Sequence, residues 1–517
     1  MTFAERFKNI RFSTAGFLLV IIGQAAIYYT RLFDFFIDGR FHVNWGPPFW
    51  LIKAEFMHKV NFFSAFLGAV SGIGATPTGL VATGWYSSHP QFIAIPLYLW
   101  TGLFGFHEAS IRSLAAVCTL ATTALFWFAL RKRFSSEESF VFLTFFASLP
   151  LMIIFGNKLD QEPFVLLFLA LGYLALERER SAPTRFPALW LISIIGMMWS
   201  DWSGFIFAGL FFLAFLIAGR WHRGSRRLAG ATVIGGVIGL LIVLLQTFGE
   251  QGFTSEIIKN MANLYRYRAG SDLPAGFRYM WMQRQFIYVW LNFGWVVGYV
   301  AIAFGIYKLR FFRAHLVEVQ KSGLGIQDLF AITALGTLIY AAIVPQATAI
   351  HVYYQYFYGP LIAFLLMRLF FWLESFVRTR RLNVPLHWCL IVAVVCLGLY
   401  SGITSLFQDI SSGWGSPAEI EMLKIIGRAP VRETAAFLGA ETNLYAWFDN
   451  PNIDFYAHRR IDNAPDPEQA VRYDWIVLGS GNIEQKRDLL VQFSHERVVI
   501  DIVGCTPHLC LLHKKIK

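Results

Sequence analysis

Several carboxylates stand beside the ends of long apolar runs in this sequence. Asp34 and Asp38 follow the first run, Asp160 and Glu162 open the fourth, and Asp201 separates the fifth from the sixth. A charge at the edge of a bilayer is costly unless water, a partner or a task accounts for it. These acids are therefore candidates for proton abstraction or for orienting hydroxyl groups.

A purely structural explanation competes with this interpretation. Acids just before Pro163 suit the positive end of a helix dipole, so Asp160 and Glu162 could simply begin a helix. That explanation weighs evenly against a functional one for Glu162 and Asp201. It is weaker for Asp34, which occupies no obvious cap position, and Asp34 is our candidate general base.

Basic side chains near the same run ends could hold an anion. Arg112 begins the second run, and Arg266 and Arg268 alternate with tyrosines in the sequence Tyr-Arg-Tyr-Arg. Guanidinium groups suit phosphate oxygens, whereas aromatic planes suit sugar faces or polyprenyl tails. Lys158 is a weaker candidate. Arg278 and Arg284 could instead be anchors of a positively charged loop at the membrane interface.

A histidine with neighbouring tyrosines opens the tenth run. The stretch reads His351-Val-Tyr353-Tyr354-Gln-Tyr. An aromatic belt at a membrane surface explains the tyrosines, but it does not explain His351. We therefore include His351 among the residues expected to bind an anion.

Composition places these residues in an integral membrane protein. The 517 residues are 56% hydrophobic and only 15% charged, which excludes an ordinary soluble enzyme. Eleven apolar runs predict about eleven transmembrane helices: 13–30, 113–130, 138–155, 162–176, 187–200, 203–219, 229–248, 287–306, 328–345, 357–373 and 386–403.

Charge gives these spans an orientation. With the amino terminus in the cytoplasm, the inside segments carry 21 Lys and Arg against 8 Asp and Glu, and the outer loops carry 11 against 10. This asymmetry follows the positive-inside rule. The net charge of +11 is therefore a topological signal, and we expect no nucleic-acid partner.

The first outer loop is long and contains several expected features. Residues Ala54–Val70 carry apolar side chains at helical spacing, which predicts an interfacial amphipathic helix on the membrane surface. The glycine-rich stretch Gly68–Gly84 is expected to be irregular. The apolar run His89–Phe106 contains two prolines and is interpreted as a re-entrant or interfacial segment.

The chain after residue 403 has a different pattern. It alternates β-type runs with helix-like runs, which predicts a small C-terminal α/β domain. The β-type runs are Leu444–Phe448, Trp475–Gly479, Val498–Val503 and Leu509–His513, and the helix-like runs are Ala418–Ile426, Arg432–Leu438 and Ile483–Phe493. We divide the chain into a membrane body, 1–403, and an outer domain, 404–517. Cys505 and Cys510 could form a disulfide or stay free.

In this order, these pieces resemble the GT-C superfamily of polyprenyl-phosphate-sugar-dependent glycosyltransferases, of the protein O-mannosyltransferase and aminoarabinose-transferase type. The matching residues are Asp34, Asp160, His89-Pro-Gln with Pro-Leu behind it, Ile-Arg112-Ser-Leu, and the His351/Tyr353/Tyr354 stretch. The resemblance covers roughly residues 1–375. Phe35 stands where the family often has a second acid, and the second proline after His89 is missing.

The resemblance implies an integral membrane glycosyltransferase with a polyprenyl-phosphate-linked sugar as donor. Asp34 would take the acceptor proton and Asp160 would assist, while Arg112, Arg266, Arg268 and His351 would hold the donor phosphate. Asp38, His89, Glu162, Tyr353 and Tyr354 would bind substrate. The acceptor would be a hydroxyl of a glycan, lipid or protein, and transfer would invert the sugar configuration.

Cofactor and location are expectations of the same kind. Asp34 with Asp160 or Glu162 could hold a divalent cation, Mg²⁺ or Mn²⁺, but the same carboxylates could equally orient acceptor hydroxyls. We expect a protein of the bacterial inner membrane, in contact with membrane lipids. Its amino terminus would be cytoplasmic and its C-terminal domain periplasmic.

Two other functions compete with a glycosyltransferase. A transporter of lipid-linked sugars or lipids should carry charged or broken-helix sites at mid-membrane, whereas the acids here cluster at the outer rim. A different headgroup transferase would need a nucleophile beside a metal cluster or a histidine within a span. Neither pattern is present in the sequence.

Overall fold

A computed structural model of the chain describes residues 3–33, 46–63, 67–76, 79–85, 88–249, 254–270, 276–294, 323–380, 386–412, 417–430, 433–439, 461–464, 467–479, 500–505 and 509–514, with short pieces at 298, 300–302, 304–306, 457 and 491. Most of these residues are helical, which confirms the mainly α fold class. A small sheet near the carboxyl end confirms that part of the prediction too.

The described helices account for ten of the eleven apolar runs, and α12 covers the first part of the remaining run, 287–306. In chain order they are α1 (Phe3–Tyr29), α2 (Gly46–Lys59), α3 (Ala94–Phe104), α4 (Glu108–Leu130), α5 (Ser136–Ser148), α6 (Pro150–Phe155), α7 (Gln161–Ser181), α8 (Ala188–Ser200), α9 (Trp202–Ala218), α10 (Arg223–Phe248), α11 (Ser255–Ala269), α12 (Phe277–Phe293), α13 (Ile326–Ile343), α14 (Pro345–Ile350), α15 (Gly359–Arg380), α16 (Leu386–Ser412), α17 (Pro417–Arg428) and α18 (Pro467–Ala470). A 3₁₀ turn, Val352–Tyr358, joins α14 to α15.

Length and composition qualify some of these helices as membrane spans. Within the described ranges, five segments are long and apolar enough: Glu108–Leu130, Arg223–Phe248, Ile326–Ile343, Val352–Arg380 and His387–Thr404. Shorter apolar helices cover Thr14–Tyr29, Ala94–Phe104, Ala188–Ser200 and Trp202–Ala218. The total of eleven spans stays a prediction.

Proline divides one expected span. The run 138–155 forms two helices, because α5 ends at Ser148 and α6 begins at Pro150. Proline has no N–H to donate within a helix, and its fixed φ suits the first helical position. α6 is therefore a short helix that ends just before the segment leading into α7.

The first outer loop differs from its prediction. The helix is α2, Gly46–Lys59, rather than Ala54–Val70, and it buries Trp50, Leu51 and Met57 inside the protein. It is thus a packed helix, not one with a single face on the membrane surface. The glycine-rich stretch is not irregular, since β1 (Val70–Thr76) and β2 (Gly79–Trp85) pair as an antiparallel hairpin.

The run His89–Phe106 contains only a short helix, α3. Its 11 residues would extend about 16 Å at 1.5 Å per residue, too little to cross a bilayer. α3 packs against α2 and α4. This length agrees with the prediction that the segment does not span the membrane.

The C-terminal sheet has the order β4-β3-β5-β7-β6. Its strands are β3 (Ala435–Gly439), β4 (Asp462–Asn463), β5 (Trp475–Gly479), β6 (Ile500–Cys505) and β7 (Leu509–Lys514). The predicted helix Arg432–Leu438 is wrong, because this stretch leads into β3, which pairs in parallel with β5. Leu444–Phe448 and most of Ile483–Phe493 lie outside the described residues. A disulfide joins Cys505 to Cys510.

Two apolar cores hold these elements together. The larger one is formed by the helical bundle and contains side chains from α4 to α10 and from α12, α13, α15 and α16. The second core combines Trp50 of α2 and Leu114 of α4 with Ile420 of α17 and Trp475 of β5. The C-terminal sheet therefore packs against the first outer loop, above the beginnings of α4 and α7.

Candidate functional site

The last turn of α1 is fixed against the segment that leads into α7. Arg31 is buried and donates from Nη1 to the carbonyl of Ile154 at 3.0 Å and to Oδ1 of Asn157 at 3.3 Å. Tyr28 donates to the carbonyl of Met152 at 3.0 Å. The chain thus leaves α1 beside Asn157.

Asp160 is held by three partners. Its carboxylate caps α7 by accepting a hydrogen bond from the N–H of Gln161 at 3.1 Å. Oδ2 lies 3.2 Å from Nζ of Lys158, and Nε1 of Trp50 donates to Oδ1 at 3.4 Å. The helix-cap explanation is therefore correct, yet the cap also forms a buried ion pair.

Lys158 also connects Asp160 to the stretch that opens the tenth run. Its ammonium lies 3.1 Å from the ring centroid of Tyr353 and is buried. Burial lowers the pKa of Lys158, while the charges of Asp160 and Glu162 oppose that shift. The Lys158 amine thus lies between the Asp160 carboxylate and the face of Tyr353, with Glu162 close enough to act on it electrostatically.

Glu162 lies in the first turn of α7 and is 4% exposed. Among the described residues, its Oε2 has no hydrogen-bond partner, and the same holds for Nδ2 of Asn157 and Nε2 of Gln161. Buried polar atoms are normally satisfied, because leaving them unpaired costs free energy. Unpaired polar atoms concentrated along one short segment are what a polar ligand would satisfy.

A second group of contacts is centred on His89. Nδ1 of His89 lies 2.7 Å from Oδ1 of Asp201, and Nε2 lies 2.8 Å from Nη2 of Arg268. Because a guanidinium can only donate, Nε2 accepts and the ring proton is on Nδ1, where it is donated to Asp201. Arg268 also donates to the carbonyl of Ser88 at 3.2 Å.

The titration of this group follows from the same contacts. Burial, together with the Arg268 guanidinium, lowers the pKa of His89, although Asp201 opposes the shift. Burial acts to raise the pKa of Asp201, but hydrogen bonds from His89 and Ser203 outweigh it and the pKa is lowered. The neutral imidazole and the ionised carboxylate are thus the favoured forms.

The His351 stretch is held in place by α12. Side chains on one face of α12 reach the backbone from Thr348 to Val352: Nε1 of Trp281 donates to Oγ1 of Thr348, and carbonyls accept from Arg284, Gln285, Tyr288 and Asn292. The Tyr353 hydroxyl lies 3.1 Å from Nδ1 of His351. The rings of Tyr353 and Tyr354 are 5.5 Å apart.

Charges from both groups act on the same residues. Arg268, Glu162, Asp201 and Asp160 all lie close enough to Tyr354 to interact with it electrostatically, and Asp160 acts on His89 as well. We call the following residues the rim cluster: His89, Lys158, Asp160, Glu162, Asp201, Arg268, His351, Tyr353 and Tyr354. They come from five separate parts of the chain.

The remaining sequence candidates have different surroundings. Arg112 is buried in the first turn of α4, about two turns before Cys118, whose thiol contacts the Pro163 carbonyl. Arg266 and Arg278 are exposed. Arg284 supports the backbone at Ala349. Asp34 and Asp38 lie outside the described residues.

A metal centre stays an untested expectation. Within the described ranges, no group of three His, Cys, Asp or Glu side chains could hold a metal ion. The two acids that were expected to contribute, Asp34 and Asp38, fall outside those ranges.

Two contacts of the rim cluster were not anticipated from the sequence. The pairing of His89 with Asp201 joins residues 112 positions apart, and no local pattern encodes it. Trp50 was not named, although it lies in the correct outer loop and contacts Asp160. Lys158, which stands two residues before Asp160 and four before Glu162, is the sequence signal that indicates a paired cation here.

A family comparison matches the part of the chain that carries much of this cluster. Residues 88–246 match the model of the dolichyl-phosphate-mannose-protein mannosyltransferase family. This range includes His89, Arg112, Asp160, Glu162 and Asp201. Comparison with curated proteins finds no match.

The whole fold is similar to solved structures. ArnT from Cupriavidus metallidurans bound to undecaprenyl phosphate matches with a TM-score of 0.59 and 11% identity, over 96% of this chain and 97% of that chain. The Archaeoglobus fulgidus oligosaccharyltransferase in complex with Zn and sulfate matches with a TM-score of 0.55 and 14% identity, over 89% and 68%. At such identities the likeness shows the fold, and with the family match it confirms the resemblance found in the motifs.

Proposed function

We propose that this chain, whose resemblance to the GT-C superfamily is confirmed, is an integral membrane glycosyltransferase. It would move a sugar from a polyprenyl-phosphate donor to an acceptor hydroxyl at the outer face of the membrane, with inversion. The observation that carries the proposal is the rim cluster, in which buried cations and carboxylates meet where the bundle contacts the C-terminal sheet. A donor with its tail in lipid and its headgroup in water requires a site at that level.

The cations of the rim cluster suit the leaving group. A phosphate monoester leaves with its charge already developed, so it needs electrostatic stabilisation rather than a general acid. Within the rim cluster, Lys158 and Arg268 are the cations that would contact the leaving phosphate. Arg112, Arg266 and His351 remain proposed contributors. The ArnT structure is bound to undecaprenyl phosphate, which supports a lipid phosphate as ligand.

Asp34 is our proposed general base, with Asp160 assisting. Arg31, three residues earlier in the chain, is bonded to Asn157. Gly46, where the described chain resumes, lies so close to Asp160 and Lys158 that a Cβ there would contact both. Both ends of the segment that carries Asp34 and Asp38 thus adjoin the rim cluster, which supports a role for these acids there.

The other acids and tyrosines would bind the sugar or the acceptor. Glu162 and Asp38 can accept hydrogen bonds from hydroxyl groups, and His89, Tyr353 and Tyr354 line the same region. A divalent cation held by Asp34 with Asp160 or Glu162 remains part of the proposal. Lys158 already places one positive charge beside Asp160, so the cation would adjoin the ammonium.

The proposal also gives the protein an orientation in the membrane. The rim cluster and the C-terminal domain would face the periplasm, with the amino terminus in the cytoplasm of a bacterial inner-membrane protein. The Cys505–Cys510 disulfide supports an oxidising compartment for the C-terminal sheet. The basic segments on the opposite side follow the positive-inside rule.

The experiment that tests the function is a transfer assay with purified protein. Labelled polyprenyl-phosphate sugars are incubated with glycan, lipid and peptide acceptors, and transfer is measured for wild type, Asp34→Asn and Asp160→Asn. We expect the loss of a general base in Asp34→Asn to slow transfer roughly 10²–10⁴-fold. The matched control is Glu137→Gln, an exposed acid at the start of α5, which should leave the rate unchanged.

Two results would contradict the proposal. Unchanged transfer by Asp34→Asn would remove it as the base. Movement of the intact donor across a vesicle membrane, with no transfer to any acceptor, would favour the lipid-linked sugar transporter instead.

A further inference from the structure

A cavity lies at the opposite end of α7 from the rim cluster. Its volume is about 810 Å³, and it opens to the protein surface between the end of α7 and the beginning of α10. Six basic side chains line it: Lys132, Arg133, Arg180, His222, Arg223 and Arg227. We call it the basic cavity.

The two acids that line the basic cavity already have partners. Glu177 is buried, lies 3.7 Å from Arg180 and 4.0 Å from Arg133, and accepts a hydrogen bond from the N–H of Ile326 at 2.8 Å. Glu179 accepts from the N–H and the hydroxyl of Thr184. The five Lys and Arg side chains of the lining therefore outnumber these two acids by three.

Three cations remain for a ligand. Among the described residues, Lys132, Arg223 and Arg227 form no ion pair, although Arg227 donates to the carbonyl of Thr184 at 2.6 Å. Lys132 lies in the loop between α4 and α5, whereas Arg223 and Arg227 lie at the beginning of α10, and all three line one cavity. Topology alone requires basic residues near the membrane, but it does not require them to line a common cavity.

The beginning of α10 adds to the positive potential. Its first residue is Arg223, and the side chain of His222 before it makes no capping hydrogen bond. The first N–H groups of a helix lack intrahelical acceptors and favour an anion. Nδ1 of His222 is also buried without a partner among the described residues.

One side of the cavity is apolar. It continues into a narrow cleft lined by Leu176, Pro187, Leu228 and Leu324, and the cleft shares Arg180, His222 and Arg227 with the cavity. Trp221, at the mouth, is 53% exposed. Tryptophan in such a position is typical of the membrane interface.

We propose that the basic cavity binds the phosphate group of an anionic membrane lipid. The cations and the α10 N-terminus would contact the phosphate, and the apolar side chains beside them would contact the first carbons of the lipid. Basic pockets between transmembrane helices bind lipid headgroups in this way. The site is independent of the proposed transferase chemistry, because it lies at the other end of α7.

The test is a binding measurement on the full-length purified protein. A fluorescent short-chain phosphatidylglycerol is titrated in detergent, with phosphatidylcholine and inorganic phosphate as competitors. The double variant Lys132→Gln with Arg223→Gln removes two lining charges. The matched control, Arg131→Gln with Arg220→Gln, removes two exposed charges of neighbouring loops that do not line the cavity.

We expect the lining variant to bind phosphatidylglycerol roughly tenfold more weakly or worse, and the control to change less than about twofold. Phosphatidylcholine should not compete. Equal losses in both variants would overturn the proposal, since general charge would then explain binding. Displacement by inorganic phosphate at the concentration of the lipid would overturn the lipid as source. If the double variant fails to fold, Arg223→Gln alone carries the test, because its side chain is exposed.

Discussion

At the residue scale, one proton determines how His89 holds its neighbours. The imidazole accepts from Arg268 through Nε2 and donates to Asp201 through Nδ1. A second proton on the ring would remove the acceptor and place two positive charges in contact. His89 therefore orients Arg268 only in its neutral form.

This arrangement predicts a loss of stability in mild acid. The pKa of His89 is lowered in the folded protein, so the unfolded chain binds a proton more readily below about pH 6.5. The stabilisation is complete above that value and is lost as pH falls through the lowered pKa. We expect the unfolding temperature of wild type to fall between pH 7 and pH 5 by about 2 °C more than that of His89→Asn.

The measurement is a thermal unfolding series in one detergent across that pH range. His89→Asn keeps an amide donor for Asp201 but does not titrate. His58→Asn is the control, because the His58 ring hydrogen-bonds to Tyr98 and Thr101 and to no residue of the rim cluster among the described residues. Identical pH slopes for wild type and His89→Asn would contradict the prediction.

Residue types alone identified much of the rim cluster. Charge at the ends of apolar runs points to Asp160 and Glu162, the Tyr-Arg-Tyr-Arg sequence points to Arg268, and His351 is the residue that an aromatic belt does not explain. What could not be predicted is which charge meets which, since the contact of His89 with Asp201 depends on how α9 packs beside the outer loop. The sequence does not distinguish Arg266 from Arg268, two residues later. In the helix, however, Arg266 lies on an exposed face.

At the element scale, α12 acts as a support for the turn that carries His351. Asn292 is fully buried and donates to the carbonyl of Val352 at 2.8 Å and to Oε1 of Gln355 at 3.2 Å. Gln355 in turn donates to the carbonyl of Gln285 at 3.0 Å. The position of Tyr353 and Tyr354 thus depends on polar contacts from a helix remote in sequence.

Removing one of these contacts should affect both stability and function. Asn292→Leu keeps the approximate size but leaves the Val352 carbonyl without its donor, which costs about 1–3 kcal/mol. We expect a lower unfolding temperature and slower transfer, because the ring of Tyr353 would lose its fixed place over Lys158. Asn263→Leu, on an exposed part of α11, is the control and should change neither. Normal transfer by a destabilised Asn292→Leu would show that the contacts from α12 stabilise the fold but do not position the site.

Helices were easier to predict than the segments between them. Apolar runs located the helices because a bilayer selects them by composition. α2 was misplaced because its residues are buried on most sides, so one-face periodicity was the wrong signal. The run Arg432–Leu438 has helical propensity, but its residues from Ala435 onward form β3 and pair with β5 in the core, which overrides that propensity.

At the scale of the whole molecule, charge and site geometry give one orientation. The rim cluster lies at the beginning of α7, and the basic cavity lies at its end. If the basic side faces the cytoplasm, the rim cluster and the C-terminal sheet face outward.

Cysteine labelling of intact cells tests this orientation. In a background without Cys389 and Cys396, both exposed, a cysteine is introduced as Lys259→Cys on α11 or as Arg185→Cys in the loop after α7. A membrane-impermeant maleimide should label Lys259→Cys in intact cells and Arg185→Cys only after permeabilisation. The reverse pattern would invert the topology, and the background protein without either cysteine is the control.

The two fixed ends of α7 also set a length. Asp160 caps one end, and at the other Glu177 and Arg180 bind the N–H of Ile326 and the carbonyls of Gly323 and Leu324. A helix of 21 residues rises about 30 Å, which is close to the hydrocarbon thickness of a bilayer. Because neither end can slide without breaking buried polar contacts, α7 acts as a fixed spacer that holds the rim cluster and the basic cavity about 30 Å apart.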